Sequence, residues 1–192
     1  MKRTQRILLW LSVVLITLSL MGCQTLFKPH YSVRRVSDGD TLTVTDSKGV
    51  DIKVRFACVD APEVPHTKKE RDSYSSFDRD QYKWGRLARN RLNELISQAN
   101  NNVTLTITDS DKYGRKIAEV RLPDGTLVQE VLAREGLAMV YRQYMKSCPS
   151  ATVVEQSEEQ ARREQAGIWR DPQFTPPWEY RQKSRVLTKR VS

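Results

Sequence analysis

Between residues 38 and 63 the chain sets Asp38, Asp40, Asp60 and Glu63 around a single arginine, Arg55. Carboxylate oxygens grouped in this way suit a hard cation. Neither histidine has a His or Cys partner at ligand spacing, which argues against zinc, and His66 reads as a solvated residue. The positions follow from the strands that carry them. From Val50 to Val59, Ile52, Val54, Phe56 and Cys58 alternate with Asp51, Lys53, Arg55 and Ala57, the period-two pattern of a half-buried strand. Arg55 therefore points away from the apolar face. Asp60 and Glu63 follow where that strand ends, and Pro62 stiffens the bend between them by fixing its own φ and restricting Ala61.

Each piece alone has a plain reading. Asp38-Gly39 is an ordinary hairpin turn signal, and Asp60-Ala61-Pro62-Glu63 is a common kind of loop. The order is more specific: Asp38-Gly39-Asp40-Thr41, an arginine-bearing strand, Asp60-Ala61-Pro62-Glu63, and then a second arginine in Asp111-Lys112-Tyr113-Gly114-Arg115.

Strands are predicted over Tyr31–Val36, Thr41–Asp46 and Val50–Val59, with a turn at Ser47-Lys48-Gly49. Residues 64–73 read as a charged loop. A helix is predicted over Ser76–Gln98, with Trp84, Leu87, Ala88, Leu92, Leu95, Ile96 and Ala99 at three-and-four spacing. A fourth strand carries Val103, Leu105 and Ile107, and a fifth runs over Lys116–Leu122. Helices follow over Leu127–Glu135, stopped by Gly136, and Thr152–Gln165, capped by Ser150 or Thr152. Residues 171–192 read as an irregular, basic, Pro-containing tail.

The combined motif resembles the staphylococcal nuclease (thermonuclease) family over Tyr31–Trp169. The resemblance implies an α+β, mainly β fold: a five-stranded OB-fold barrel with three packing helices, a scaffold well used for nucleic acids. It also implies hydrolysis of phosphodiesters by a calcium-dependent enzyme. Asp40, Asp60 and the carbonyl of Ala61 would bind Ca²⁺, and Asp38 would add to the field. Arg55 and Arg115 match the family's phosphate-clamping arginines, and Glu63 matches the residue that positions or deprotonates the attacking water. Lys112 and Tyr113 match residues flanking the terminal phosphate and base. Tyr144 falls near a base-pocket tyrosine, and Tyr141 is displaced by one position from another. Contacts to phosphate, sugar and one stacked base imply weak sequence preference on both DNA and RNA. No protein partner is implied, and a monomer is expected. Two other readings are an inactive nuclease-like module that binds nucleic acid and an envelope protein whose basic surface meets anionic lipid. The second leaves the carboxylate corner unexplained.

Lys2, Arg3 and Arg6 precede an apolar run over Ile7–Met21, which is short of the roughly 20 residues that span a bilayer. Residues 1–22 therefore read as a leader. Leu20-Met21-Gly22-Cys23 resembles a lipobox, with Met21 where a small residue is usual, and Cys23 is the expected lipidation site. An uncleaved signal anchor is the alternative. Either way the domain lies outside the cytosol, lipid-anchored in the envelope or secreted. Gln24 after Cys23 resembles the sorting pattern for an outer membrane. The domain plan is leader 1–22, tether 23–30, nuclease-like domain 31–170 and tail 171–192. Loss of Lys2, Arg3 and Arg6 with the leader takes the net charge from +9 to +6, a balance that suits a polyanionic partner. With Cys23 taken by lipid, Cys58 and Cys148 remain, and an exported chain favours their pairing. The resemblance places Cys148 beside the end of the Cys58 strand. A buried free Cys58 with an unrelated exposed Cys148 is the alternative.

Overall fold

In the computed structural model, which describes residues 30–73 and 75–191 (146 and 187–191 by backbone alone), five strands close into a barrel. They are β1 (His30–Val36), β2 (Thr41–Thr45), β3 (Asp51–Phe56), β5 (Asn102–Ser110) and β6 (Lys116–Arg121), in the order β1-β2-β3-β6-β5. Four of the pairings are antiparallel, and β3 runs parallel to β6. This is the OB-type barrel of an α+β fold. Alternation sets the interior: Leu42, Val44, Val54, Phe56, Val103, Ala118 and Val120 are buried, while Asp51 and Lys53 face solvent. Residues 1–22, the tether up to residue 29 and Cys23 lie outside the described residues, and His30, assigned to the tether, begins β1. Among the described residues no helix is long and apolar enough to cross a membrane.

The strand expected over Val50–Val59 is two strands. β3 ends at Phe56, Cys58 takes a φ of +73°, and β4 (Val59–Asp60) then pairs with β7 (Met139–Val140) outside the barrel. A left-handed non-glycine residue is costly, and it is held here by several constraints. Ala57 N–H donates to the Ala118 carbonyl, the Cys58 carbonyl accepts from Tyr141 N–H, and Cys58 is disulfide-bonded to Cys148. The chain thus leaves the barrel wall immediately before the acidic corner.

The loop expected over residues 64–73 contains a short helix, α1 (Lys68–Arg71), closed by a reciprocal cap between Thr67 and Glu70. α2 (Ser76–Gln98) buries Gln81, Tyr82, Gly85, Ala88, Leu92, Leu95 and Ile96. Leu87, assigned to the buried stripe, is exposed, because the face that meets the barrel is centred on Gly85 and Ala88. α3 (Val128–Arg134) and α4 (Ala151–Arg163) pack on each other. Ser150 stands at the start of α4 without capping it, since its N–H and hydroxyl both donate to the buried carboxylate of Glu119.

The tail is not irregular. α5 (Pro177–Val191) is a 15-residue helix. Pro177 begins it, a position where the missing N–H costs nothing and the fixed φ is already helical. The helix docks through Tyr180, whose hydroxyl donates to Asp78 (2.8 Å) and meets the Tyr82 hydroxyl at 3.0 Å, and whose ring lies 4.7 Å from that of Phe77.

Candidate active site

The register of β2 on β3 sets Thr41 opposite Arg55 at the mouth of the barrel. Asp40 directly precedes that pair, and its peptide N–H donates to Asp38 Oδ1 (3.0 Å), closing the turn on itself. Gly39 in this turn is not left-handed; the need for glycine is one of space. A Cβ there would stand 2.6 Å from Ala88 Cβ and 2.7 Å from Ala61 Cβ. The turn is thereby wedged between α2 and the acidic corner.

That corner is tied to the turn by Ala61 N–H, which donates to Asp40 Oδ2 at 2.6 Å. Arg55 bridges the two, ion-paired with both Asp40 and Asp60 and within 3.3 Å of the Thr41 hydroxyl. Both carboxylates are almost wholly enclosed, Asp40 at 1% exposure and Asp60 at 0%. Burial pushes the Asp40 carboxyl well above its usual range, Arg55 pulls against this, and the negative charges of Asp38 and Asp60 add to the rise. Burial disfavours the Arg55 charge, but Asp40, Asp60 and Asp38 outweigh it and leave the guanidinium more basic than usual. Glu63 is positioned from behind by Gly85, whose Cα lies so close to the Pro62–Glu63 backbone that a Cβ would fall 2.0 Å from the Glu63 carbonyl oxygen.

Arg181, on α5, was not visible as a site residue from the sequence. Its guanidinium grips Asp60 with both terminal nitrogens, 3.0 Å to Oδ1 and 2.6 Å to Oδ2, and reaches Glu63 Oε1 at 2.8 Å.

A cleft of about 900 Å³ opens over this cluster. Asp38, Arg55 and Glu63 line it near the corner, and Lys112, Tyr113 and Arg115 line it from the β5–β6 turn. Arg115 is held by Asp111 (Nε to Oδ2, 2.7 Å), whose other oxygen accepts the Tyr113 and Arg115 peptide N–H groups. Arg55 from β3 and Arg115 from the β5–β6 turn therefore face one cavity, while the Arg115 charge is paired with Asp111 and not with the corner. Tyr113 and Tyr144 are exposed, at 69% and 56%. Tyr141 stacks on Trp178 of α5 with ring centroids 5.3 Å apart and lies 5.0 Å from the Tyr144 ring.

The profile of the family described as staphylococcal nuclease homologue matches residues 53–171, more than half of the chain. The chain belongs to the staphylococcal nuclease family. An uncharacterized endonuclease of Escherichia coli O157:H7 is 34% identical over 154 residues, covering 80% of this chain and 86% of that protein. The micrococcal nuclease of Shigella flexneri is 33% identical over 164 residues, covering 81% and 82%. The SPbeta prophage-derived endonuclease YokF of Bacillus subtilis is 35% identical over 136 residues, covering 70% of this chain and 42% of that protein.

In this staphylococcal nuclease homologue the residues fit a hard divalent cation. Two carboxylates, buried, adjacent through a shared arginine and offering only oxygen, are the donors that a hard divalent ion takes. A second group of potential ligands, Cys58, Glu119 and Cys148, is no such site, because the two sulfurs are bonded to each other. The disulfide instead joins the end of the barrel wall to the segment just before α4, with Glu119 fixing Ser150 beside it.

Proposed function

We propose that this protein is a calcium-dependent phosphodiesterase that cuts DNA and RNA with little sequence preference. We propose further that it is exported and held in the envelope by a lipid on Cys23. Membership of the family supports a nuclease hydrolase. The observation that carries the finer reading is the enclosed Asp40–Arg55–Asp60 cluster, opening with Glu63 and Arg115 onto one cleft. Asp40, Asp60 and the Ala61 carbonyl would hold Ca²⁺, which when bound neutralises phosphate charge and orients the attacking water.

The chain's own residues account for the remainder. Water attacks phosphorus, Glu63 accepts its proton, and the P–O bond to the leaving group breaks as that alkoxide takes a proton from solvent. Arg55 and Arg115 donate to the non-bridging oxygens as charge gathers on them, and a planar guanidinium offers two such bonds at once. Tyr113, Tyr141, Tyr144 and Trp178 line the same cleft, and aromatic side chains there suit stacking on a base, which any base satisfies. Lys112 lies at the same rim for a further phosphate.

The test is incubation of the purified protein with denatured DNA and with RNA, in calcium or in chelator. Cleavage of both in calcium and of neither in chelator is expected. Full activity in chelator defeats the metal assignment, and binding without cleavage makes the protein an inactive nuclease-like module. For the anchor, Cys23→Ser is expected to release the protein from membranes or stall its processing. Unchanged fractionation and unchanged mobility support an uncleaved signal anchor instead.

A further inference from the structure

The ion pairs of Arg181 bear directly on how a cation reaches the corner. Asp60 Oδ1 accepts from both Arg55 and Arg181, and Oδ2 accepts from Arg181, so both oxygens are engaged by guanidinium groups. The same Arg181 nitrogen that meets Oδ1 also holds Glu63. Unlike Arg55, Arg181 does not come from the barrel. It comes from a helix that docks through the buried Tyr180 and through Trp178 stacked on Tyr141, one residue before and three residues before it. The docking sets the Arg181 backbone beside the acidic corner, and the fork geometry of the guanidinium matches a carboxylate edge-on.

We propose that Arg181 is a metal-affinity-determining residue: a cation built into the chain that occupies the Asp60–Glu63 edge and must be displaced from Asp60 before calcium can bind there. This inference rests on the calcium reading of Asp40, Asp60 and Ala61. The charge balance supports it. Four carboxylates, Asp38, Asp40, Asp60 and Glu63, are opposed by two guanidinium groups, so Arg181 doubles the positive charge already set against the acids that would draw a metal in. An incoming divalent ion loses the Asp60 lone pairs to a competitor and also meets its positive charge at close range. Once displaced, Arg181 still lines the cleft, where a side chain tethered to a docked helix remains at high effective concentration and recaptures the carboxylates when the ion departs. Arg181 thereby weakens calcium binding without touching the metal, and α5 is coupled to metal loading.

The experiment is calorimetric titration of the purified full chain with calcium, in the wild type and in Arg181→Gln and Arg185→Gln. Arg185 lines the same cleft but makes no ion pair with these carboxylates among the described residues. Arg181→Gln is expected to bind calcium about tenfold more tightly than the wild type, and Arg185→Gln within about twofold of it. Equal or weaker binding by Arg181→Gln overturns the proposal. So does equal tightening by Arg185→Gln, which would make the effect one of general charge. Should Arg181→Gln not fold, Arg181→Lys serves, since an ammonium cannot span both Asp60 oxygens and Glu63; tighter binding supports the proposal and unchanged or weaker binding overturns it. Calcium heat absent from every form, including the wild type, instead removes the calcium reading and this inference with it.

Discussion

Gly85→Ala is the substitution whose outcome separates packing from intrinsic helix preference. Gly85 lies inside α2, where alanine is intrinsically better than glycine by about 1 kcal/mol. An ideal Cβ would nevertheless stand 2.0 Å from the Glu63 carbonyl oxygen, 2.5 Å from the Glu63 carbonyl carbon and 2.7 Å from the Pro62 oxygen. These are backbone atoms that cannot rotate aside. Restoring ordinary contact therefore moves the helix or the Pro62–Glu63 segment by about 1 Å or more. Overpacking costs about 1–3 kcal/mol, and the upper part of that range, about 2–3 kcal/mol, applies where the clash is with backbone, so after the helix gain of about 1 kcal/mol a net loss of about 1–2 kcal/mol is expected. The same displacement shifts Glu63 against the carboxylates it must face, and a misplacement of about 1 Å lowers turnover by about 100-fold. Thermal melting and initial rates of calcium-dependent cleavage measure the two effects. A Gly85→Ala protein that melts at or above the parent temperature and cuts within about threefold of its rate refutes the reasoning.

Three further outcomes follow from the same contacts. Glu63→Ser or Arg115→Gly is expected to lower turnover on denatured DNA by about two to four orders of magnitude at saturating calcium, and a loss below about tenfold removes that residue from the chemistry. Reduction of the Cys58–Cys148 disulfide, which joins residues 90 apart, releases a loop whose closure entropy corresponds to about 4–5 kcal/mol; a melting shift of about 10–15 °C is expected, and one below about 2 °C contradicts it. Gln129→Leu strands one buried group, the Val120 N–H that donates to the Gln129 amide oxygen (3.1 Å), whereas the Ala118 carbonyl, which accepts from the Gln129 amide (2.9 Å), keeps the Ala57 N–H. Chemical denaturation is expected to register a loss of about 1–3 kcal/mol, and a neutral result would mean that solvent reaches that N–H.

The parts of the site visible in the sequence are those that local rules encode. Strand alternation placed Arg55 on the polar side of β3, and the structure points it out of the core toward Asp40 and Asp60. The helix over Ser76–Gln98 was legible at both ends, but its buried face was not fully so, because Gly85 carries no hydrophobic signal and its role depends on a backbone 22 residues earlier in the chain. The break at Cys58 escaped because no pattern of residue types announces a left-handed cysteine; the partners that hold it there are distant ones, Tyr141 and Cys148. Arg181 escaped for a different reason. Pro176 and Pro177 resemble a helix breaker when weighed by composition, whereas a proline opening a helix followed by Trp178, Glu179, Tyr180 and Arg181 is a helix start. Read by position, the tail carried a signal for the helix, but nothing for its ion pair with Asp60.

The parallel pairing of β3 with β6 delays the appearance of any working centre during folding. These strands stand about 60 residues apart, and long-range parallel pairing is among the slowest contacts a small domain makes. Asp40, Arg55, Asp60 and Glu63 leave the ribosome early, Arg115 comes beside β6, and Arg181 arrives only with the last helix. A nascent or unfolded chain owns every reactive group yet has none of them assembled. On the proposed export route, a chain that crossed the membrane unfolded would carry no assembled centre past the nucleic acids of the cell that makes it, and the centre would form where the barrel closes.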